Sequence, residues 1–217
     1  MIKAIIFDMD DVIVNSAHMH FDAYERSLKH FGLRSCKLPE DLKTSIYGMR
    51  IKEIMELLVD HFKMDVDVIE LTKWRNKYFL EIVKEGMKPM PGLEVLVKNI
   101  EDWGLKRALA TSGVREYVNE ILNQFGLTNF FGHIVTGDDV KNPKPAPDVF
   151  LKAAEGIGIE PSNCAVIEDA DKGIQAAKAA GMLAIGLQTG SGQSLKQADI
   201  VIDRLDQITL EMIGNKV

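Results

Sequence analysis

The chain has 217 residues, 46% hydrophobic and 27% charged, enough to bury a sizeable core as one domain or two unequal ones and too apolar for a disordered tail. Its formal net charge of -6, with basic residues scattered singly or in pairs, gives no surface for nucleic acid or a membrane, although a few local cations or a metal would still let it hold an anionic substrate. Cys36 and Cys164 lie far apart without metal-type spacing, the first residues lack a signal-peptide pattern, and no stretch approaches the roughly 18 apolar residues of a membrane span, so a reducing cytoplasm is the expected setting.

The opening "KAIIF" (3–7) is a short continuous apolar run, the pattern of a strand buried on both faces of a parallel sheet. Apolar residues then recur at helical spacing over 17–31, over 51–62 (Ile51, Ile54, Met55, Leu58, Phe62) and over 67–85, and Pro39 predicts a short extra helix over 40–46. Pro89, Pro91 and Gly92 turn the chain into another helix, and "LKRALAT" (105–111) predicts the second strand. A helix with Val114, Val118, Ile121, Leu122 and Phe125 on one face follows, then a strand over 133–137, a helix after Pro147 and a strand over 164–169. A helix over 173–180, a strand over 183–187, the apolar piece "DIVI" and a last helix complete the chain. Alternation at this spacing predicts an α/β fold, a Rossmann-like parallel sheet with helices on both faces. The all-helical stretch reads as an insertion after the first strand. That division predicts a core domain at 1–15 and 88–217 and a helical cap domain at 16–87, joined by two adjacent hinges.

Ligands of an open parallel sheet gather outside the carboxyl ends of its strands, and four segments place polar residues there. "FDMDDVIVN" (7–15) supplies Asp8, Asp10 and Asp11; "ATSG" supplies Thr111 and Ser112; Lys144 precedes a helix; Glu168 and Asp169 close a later strand. Each has an ordinary explanation taken alone: a solvated turn acid, a helix N-cap at Thr111 and Ser112, an exposed lysine between two prolines, negative charge at a helix start. Their occurrence in order at strand ends points instead to one crevice. Carboxylates at that density repel and resist burial, so a cation belongs among them. An all-oxygen donor set without a histidine or cysteine cluster selects a hard ion, Mg2+ ahead of a transition metal. Mg2+ and Lys144 together would neutralise a phosphate group, which makes a small phosphorylated metabolite the expected partner.

The segments "FDMDDVIVNS", "ALATSG", "KPAPDVF" and "VIEDADKGIQAAKAAGM" resemble the four motifs of the haloacid dehalogenase-like hydrolases, in the branch with a helical cap after the first strand. That branch includes beta-phosphoglucomutases and small sugar-phosphate phosphatases. The resemblance spans essentially the whole chain, strongly in the core and loosely in the cap. It implies that Asp8 is the nucleophile that becomes an aspartyl phosphate, and that Asp10 protonates the leaving oxygen and then activates water. It further implies that Thr111 and the Ser112 backbone N–H hold the phosphoryl oxygens and that Lys144 neutralises nucleophile and phosphate together. Mg2+ would lie among Asp8, Asp10 through its carbonyl, Asp169 and Glu168. The chemistry agrees, because a carboxylate nucleophile divides phosphoryl transfer into two steps yet repels a phosphate dianion, so Mg2+ and Lys144 are needed for approach. Asp10, two residues on in an extended segment, emerges on the same side as Asp8. Two positions depart from the family pattern: Asp11 stands where glycine is usual and Asn15 where aspartate is common. Asp11 either holds a glycine-like backbone with some strain or brings an extra carboxylate to the site.

Substrate choice is expected in the cap, which would close over the crevice. His18, His20, Arg50, Lys52, Arg75 and Lys77 are its candidate contacts. His20 and Arg50 are assigned to substrate binding, His20 because it matches a hinge histidine of the beta-phosphoglucomutase branch and Arg50 because it could grip a second phosphate. The basic residues of 73–77 read as a solvated helix face, and Trp74 with Tyr78 as packing. Leu127, Phe130 and Phe131 read as a satellite core beneath a loop rather than an interface. The expected function is Mg2+-dependent hydrolysis of a small phosphomonoester, a sugar phosphate. A beta-phosphoglucomutase-like phosphotransferase and a catalytically impaired binding protein are the alternatives, the latter prompted by Asp11. A monomer or weak homodimer is expected, acting without nucleic acid or membrane.

Overall fold

The structure, a computed structural model, describes residues 1–33 and 37–214; Cys36 lies outside them. Six strands form one sheet: β1 (Ala4–Phe7), β2 (Lys106–Ala110), β3 (His133–Val135), β4 (Cys164–Glu168), β5 (Leu183–Leu187) and β6 (Ile200–Ile202). Their order is β3-β2-β1-β4-β5-β6 and every pairing is parallel. Phe7 is in register with Leu109 on one side and Ile167 on the other. The winding therefore reverses between β1 and β4, and the crevice beyond their carboxyl ends is where such a sheet binds ligands.

Alternation along the strands explains how both faces are covered. Ile5, Phe7, Leu109, Ile167 and Ile185 point to one side, where they meet α5 (Leu93–Asp102) and α6 (Arg115–Gln124). Ala4, Ile6, Ala108, Val166 and Ala184 point to the other, against α7 (Asp148–Gly156) and α8 (Asp171–Ala179). The alanines on that second face let the two helices lie close to the sheet. Ile5, Ile6 and Phe7 are fully buried, each contributing about 1.5–3 kcal/mol of apolar burial. Phe130 and Phe131 set their rings edge-on to Phe7 at 6.2 and 5.7 Å and belong with Leu127 to this main core, rather than to the satellite core expected.

Among the described residues between β1 and α5 run four helices: α1 (Ala17–His30), α2 (Glu40–Ile46), α3 (Ile51–His61) and α4 (Val68–Lys84). They share an apolar cluster of their own, including Leu28, Ile46, Met55, Leu58 and Leu71. The other side of the α1/α4 pair, through Met19, Ala23, Phe79 and Val83, joins the core that contains Phe7 and Tyr117. The two chain segments leading into and out of these helices pair with each other: Asn15 N–H donates to the Lys88 carbonyl at 3.0 Å and Met90 N–H to that of Ile13 at 2.9 Å.

Pro39 occupies the capping position before α2, whose bounds match the helix expected over 40–46. Several other boundaries differ from the sequence reading for local reasons. β3 stops at Val135 because residues Gly137–Asp139 coil into a single 3-10 turn, tied by Thr136 and Asp139. α8 begins at Asp171, two residues before the expected start, and the terminal helix α9 (Leu210–Gly214) is only five residues long. Thr111 and Ser112 do not cap a helix. Val114 holds that position before α6, while Thr111 Oγ1 accepts the Gly113 N–H at 3.0 Å in a side-chain turn.

Candidate active site

The strand ends at the winding reversal bring Asp8, Lys144, Glu168 and Asp169 into contact. Asp8 follows β1 directly, and its N–H continues the sheet ladder to the Ile167 carbonyl at 3.0 Å. Lys144, from the loop before α7, is buried and donates to Asp8 Oδ1 at 2.7 Å and to Glu168 Oε1 at 2.6 Å. Glu168 Oε2 accepts the Ala170 N–H at 2.8 Å, so this carboxylate is held at both oxygens. α8 starts directly above it, and a Cβ on Gly173 would fall 1.8 Å from Glu168 Oε1. Glycine is therefore required there for close approach rather than for backbone freedom.

The charges in this cluster do not balance. Burial is the largest influence on Asp8; together with the neighbouring Glu168 and Asp10 it outweighs the Lys144 ammonium and raises the Asp8 carboxyl to about 8. Asp169 is raised well above the carboxylate range, by burial first and then by Glu168, Asp11, Asp8 and Asp10. Burial works against the Lys144 charge, but Asp8 and Glu168 overcome it and push its pKa up. Asp169 Oδ2 is buried with no hydrogen-bond partner among the described residues, and oxygens of Asp8, Glu168 and Asp169 all lie within 4.8 Å of one another. A buried acceptor without a donor, beside two more carboxylates and no nitrogen or sulfur ligand, fits a hard cation such as Mg2+.

Asp10 faces a different set of partners. Its Oδ1 accepts from Ser16 Oγ at 2.6 Å, Tyr117 Oη at 2.8 Å and His20 Nε2 at 3.0 Å. Burial disfavours its ionised form, but the facing His20 and the donors Ser16 and Tyr117 outweigh it and hold the carboxyl at about 2. The far nitrogen of His20, Nδ1, is contacted by the Arg75 guanidinium. Arginine only donates, so Nδ1 accepts and the ring proton sits on Nε2, directed at Asp10. The His20 ring stacks on Phe79 with centroids 4.3 Å apart, which fixes its plane.

Arg75 departs furthest from its expected place. It is 1% exposed, not part of a solvated face, with its guanidinium over the rings of Phe79 at 4.4 Å and Tyr24 at 4.9 Å. Its neighbours Lys73 and Lys77 do face solvent, Lys77 lying over Trp74 at 4.5 Å. Arg50 does not line the crevice either: its guanidinium donates to the carbonyls of Val140 at 2.7 Å and Lys141 at 3.3 Å, because the turn before α3 lies against the loop leading to Lys144. His18 is exposed and pairs with Asn15, and Lys52 lies near Glu56 at 3.9 Å, both away from the crevice. Thr111 is buried and Ser112 half-buried at the crevice floor, with Ser112 Oγ donating to the Gly48 carbonyl at 3.4 Å.

Asp11 has φ +54°, the left-handed conformation that glycine adopts freely. Its carboxylate offsets the strain by accepting the N–H groups of Ser16 at 2.9 Å and Ala17 at 3.0 Å, satisfying amides at the start of α1. The extra acid thus serves the helix end although it also borders the crevice. Ser16 and Tyr117 are site-shaping residues that sequence reasoning missed, and Arg75, named there as a candidate contact on a solvated face, shapes the site from a buried position. Tyr117 lies three positions after Val114 and four before Ile121, on the apolar stripe of α6, and Arg75 lies four from both Leu71 and Phe79 on that of α4. Helical spacing was the available signal for both.

The profile of the family described as haloacid dehalogenase-like hydrolase matches residues 5–187. The fructose-1-phosphate phosphatase YqaB of Escherichia coli (strain K12) is 32% identical over 188 residues, covering 85% of this chain and 95% of that protein. The chain belongs to the haloacid dehalogenase-like hydrolases. Another relative, the beta-phosphoglucomutase of Bacillus subtilis (strain 168), is 30% identical over 219 residues, covering 97% of this chain and 93% of that one. Among solved structures, a beta-phosphoglucomutase from Clostridium difficile superposes with TM-score 0.87 at 28% identity, covering 99% of this chain and 96% of its own. This hydrolase therefore shares 85% of its length with a phosphatase and nearly all of it, helical insertion included, with beta-phosphoglucomutases. Among the described residues no helix is long and apolar enough to cross a membrane.

Proposed function

We propose that this hydrolase is a Mg2+-dependent phosphatase that cleaves a small phosphomonoester, a sugar phosphate, through an aspartyl-phosphate intermediate. The observation that carries the reading is Lys144, buried between Asp8 and Glu168 at the winding reversal, beside an Asp169 oxygen that has no hydrogen-bond partner among the described residues. The phosphatases among the relatives support it, including the phosphorylated carbohydrates phosphatase of Thermotoga maritima, 31% identical over 180 residues.

In this reading Asp8 attacks phosphorus, the P–O bond to the alcohol breaks, and the departing oxygen takes a proton from Asp10. Asp10 in its ionised form then accepts a proton from water as that water attacks the aspartyl phosphate, which frees Asp8 and releases phosphate. The three donors on Asp10 Oδ1 suit the second step, since they hold it ionised and aimed. For the first step Asp10 must carry a proton, so those donors must loosen once the substrate is bound. Lys144 offsets negative charge on Asp8 and the phosphoryl group, and Thr111 with the Ser112 N–H contacts the phosphoryl oxygens. Mg2+, held by Asp8, Asp169 and the Asp10 carbonyl with Glu168 in support, would supply the positive charge that lets a phosphate dianion approach a carboxylate.

The test is phosphate release from a panel of small phosphomonoesters with Mg2+ and with chelator, the Asp8→Asn variant running beside the parent. Steady metal-dependent release that vanishes in Asp8→Asn is expected. Isomerisation of a sugar phosphate without net release, or no turnover at all, would refute the reading.

A further inference from the structure

We propose that the site selects phosphomonoesters of small, uncharged alcohols that turn a C–H-rich face toward the inserted helices, and rejects esters that carry a second anionic group. The inference rests on the phosphatase reading and names its substrate class.

The crevice is a cavity of about 100 Å³ with two unlike walls. The sheet side presents Asp8, Asp10, Lys144, Glu168 and Asp169, with Asp11 at the border. The opposite side is built from α1, the turn between α2 and α3, and α3, and it presents Phe21, Tyr47, Met49, Ile51 and Ile54. Among the described residues that line the cavity, Lys144 is the one lysine or arginine, and two carboxylates already hold its ammonium. The cations nearest the apolar wall are committed elsewhere: Lys43, over the Phe21 ring at 5.4 Å, pairs with Glu40 at 2.7 Å. Arg50 is turned out to the carbonyls of Val140 and Lys141, and Arg75 is buried behind the His20 ring.

That wall is fixed in place over the site. The end of α2 is tied to the core by Gln193 Nε2 on the Thr44 carbonyl at 2.9 Å and by Lys172 Nζ on that of Ser45 at 3.2 Å, and the turn that follows by Ser112 on the Gly48 carbonyl. A second phosphate or a carboxylate on the substrate would be pressed against apolar side chains, within reach of five carboxylates and no free cation, and would lose its hydration without compensation. A sugar ring suits the same wall. Phe21 and Tyr47 meet edge-on at 5.9 Å, offering aromatic surface to ring C–H groups. The Tyr47 hydroxyl has no hydrogen-bond partner among the described residues, and burial with the nearby Asp11 and Asp169 charges raises its pKa, so it stays a neutral donor for a substrate hydroxyl.

The test is kcat/KM of the parent enzyme with Mg2+ on matched pairs: glucose 6-phosphate against 6-phosphogluconate, and a hexose monophosphate against the corresponding bisphosphate. The second anion is expected to lower kcat/KM by about 100-fold, in line with a site that leaves a buried charge unpaired. Met49→Lys, which puts a cation in the apolar wall, is expected to narrow that gap by at least about tenfold. Equal kcat/KM within each pair, or a preference for the doubly charged partner, would overturn the inference while leaving the phosphatase reading intact. Absence of phosphate release from every phosphomonoester would overturn both together.

Discussion

Replacing Arg75 by methionine separates what this residue does for stability from what it does for chemistry. The guanidinium is buried, faces no carboxylate among the described residues, and leaves its Nε without a partner. Its favourable contacts are two ring faces, worth about 1–2 kcal/mol each when desolvated, and the contacts to His20 and Asn76, worth about 1.5 kcal/mol each. Against that sum of about 5–7 kcal/mol stands a desolvation penalty of several kcal/mol for a buried ion. The two nearly cancel, and methionine keeps the packing against Tyr24 and Phe79. Arg75→Met should therefore change stability by less than about 2 kcal/mol, or less than about 8 °C in a chain of this size. His20 loses the donor that keeps its ring proton on Nε2, and Asp10 in turn loses its aimed partner. Turnover should fall by about 10–100-fold, the scale found when a group that fixes a histidine tautomer is removed. Calorimetry, kcat on a sugar phosphate and nitrogen NMR of the His20 ring would read the three effects. A melting temperature lower by more than about 15 °C would make Arg75 a structural residue, and an unchanged kcat with an unchanged His20 tautomer would refute the coupling.

Three further outcomes follow from the geometry. Asp11→Gly relieves a left-handed φ worth about 1 kcal/mol and loses two helix-end hydrogen bonds of similar total worth, so stability should move by less than about 1 kcal/mol and activity by less than about threefold; a tenfold loss of phosphate release would show that this carboxylate takes part in the reaction. Gly173→Ala drives a methyl group into a carboxylate that Lys144 and the Ala170 N–H prevent from retreating, and should cost about 2–3 kcal/mol with at least tenfold lower turnover, checked by thermal melting and assay. In chelator, Asp8 binds its proton more tightly folded than unfolded, so the folded state holds more protons between about pH 4 and its raised pKa of about 8, and stability should fall as pH rises through that window. Mg2+ should restore more stability at about pH 8 than at about pH 6, because it binds the deprotonated carboxylates; a metal effect independent of pH would refute this assignment.

The sheet was legible because each buried strand is a short apolar run after a turn, and the site acids were legible because they sit at the ends of those runs. Residues whose placement depends on a distant partner were not. Arg75 was assigned to solvent by its charge, against the helical spacing that puts it in line with Leu71 and Phe79. Arg50 was assigned to a second phosphate, yet its partners are backbone carbonyls about ninety residues away, and main-chain acceptors leave no trace in a side-chain pattern. Thr111 and Ser112 looked like a helix cap because hydroxyls before a helix usually are, but α6 starts three residues later and frees them for the crevice floor.

The same reasoning bears on Asp11, the departure from the family pattern that most called catalysis into question. A carboxylate beside Asp8 would harm the site if it faced the acid cluster, where it would add negative charge to a group already short of cations. Its oxygen instead accepts two amides at the start of α1, and α1 also carries Phe21 of the apolar wall and His20 of the Asp10 relay. Asp11 thus ties the loop that carries Asp8 to the helix that supplies both the His20 facing Asp10 and part of the apolar wall of the crevice. With glycine at this position the Ser16 and Ala17 N–H groups would need another acceptor. Here the left-handed strain at one residue is offset by fixing α1 against the acid cluster, which favours a site assembled for turnover over one in which Asp11 marks lost activity.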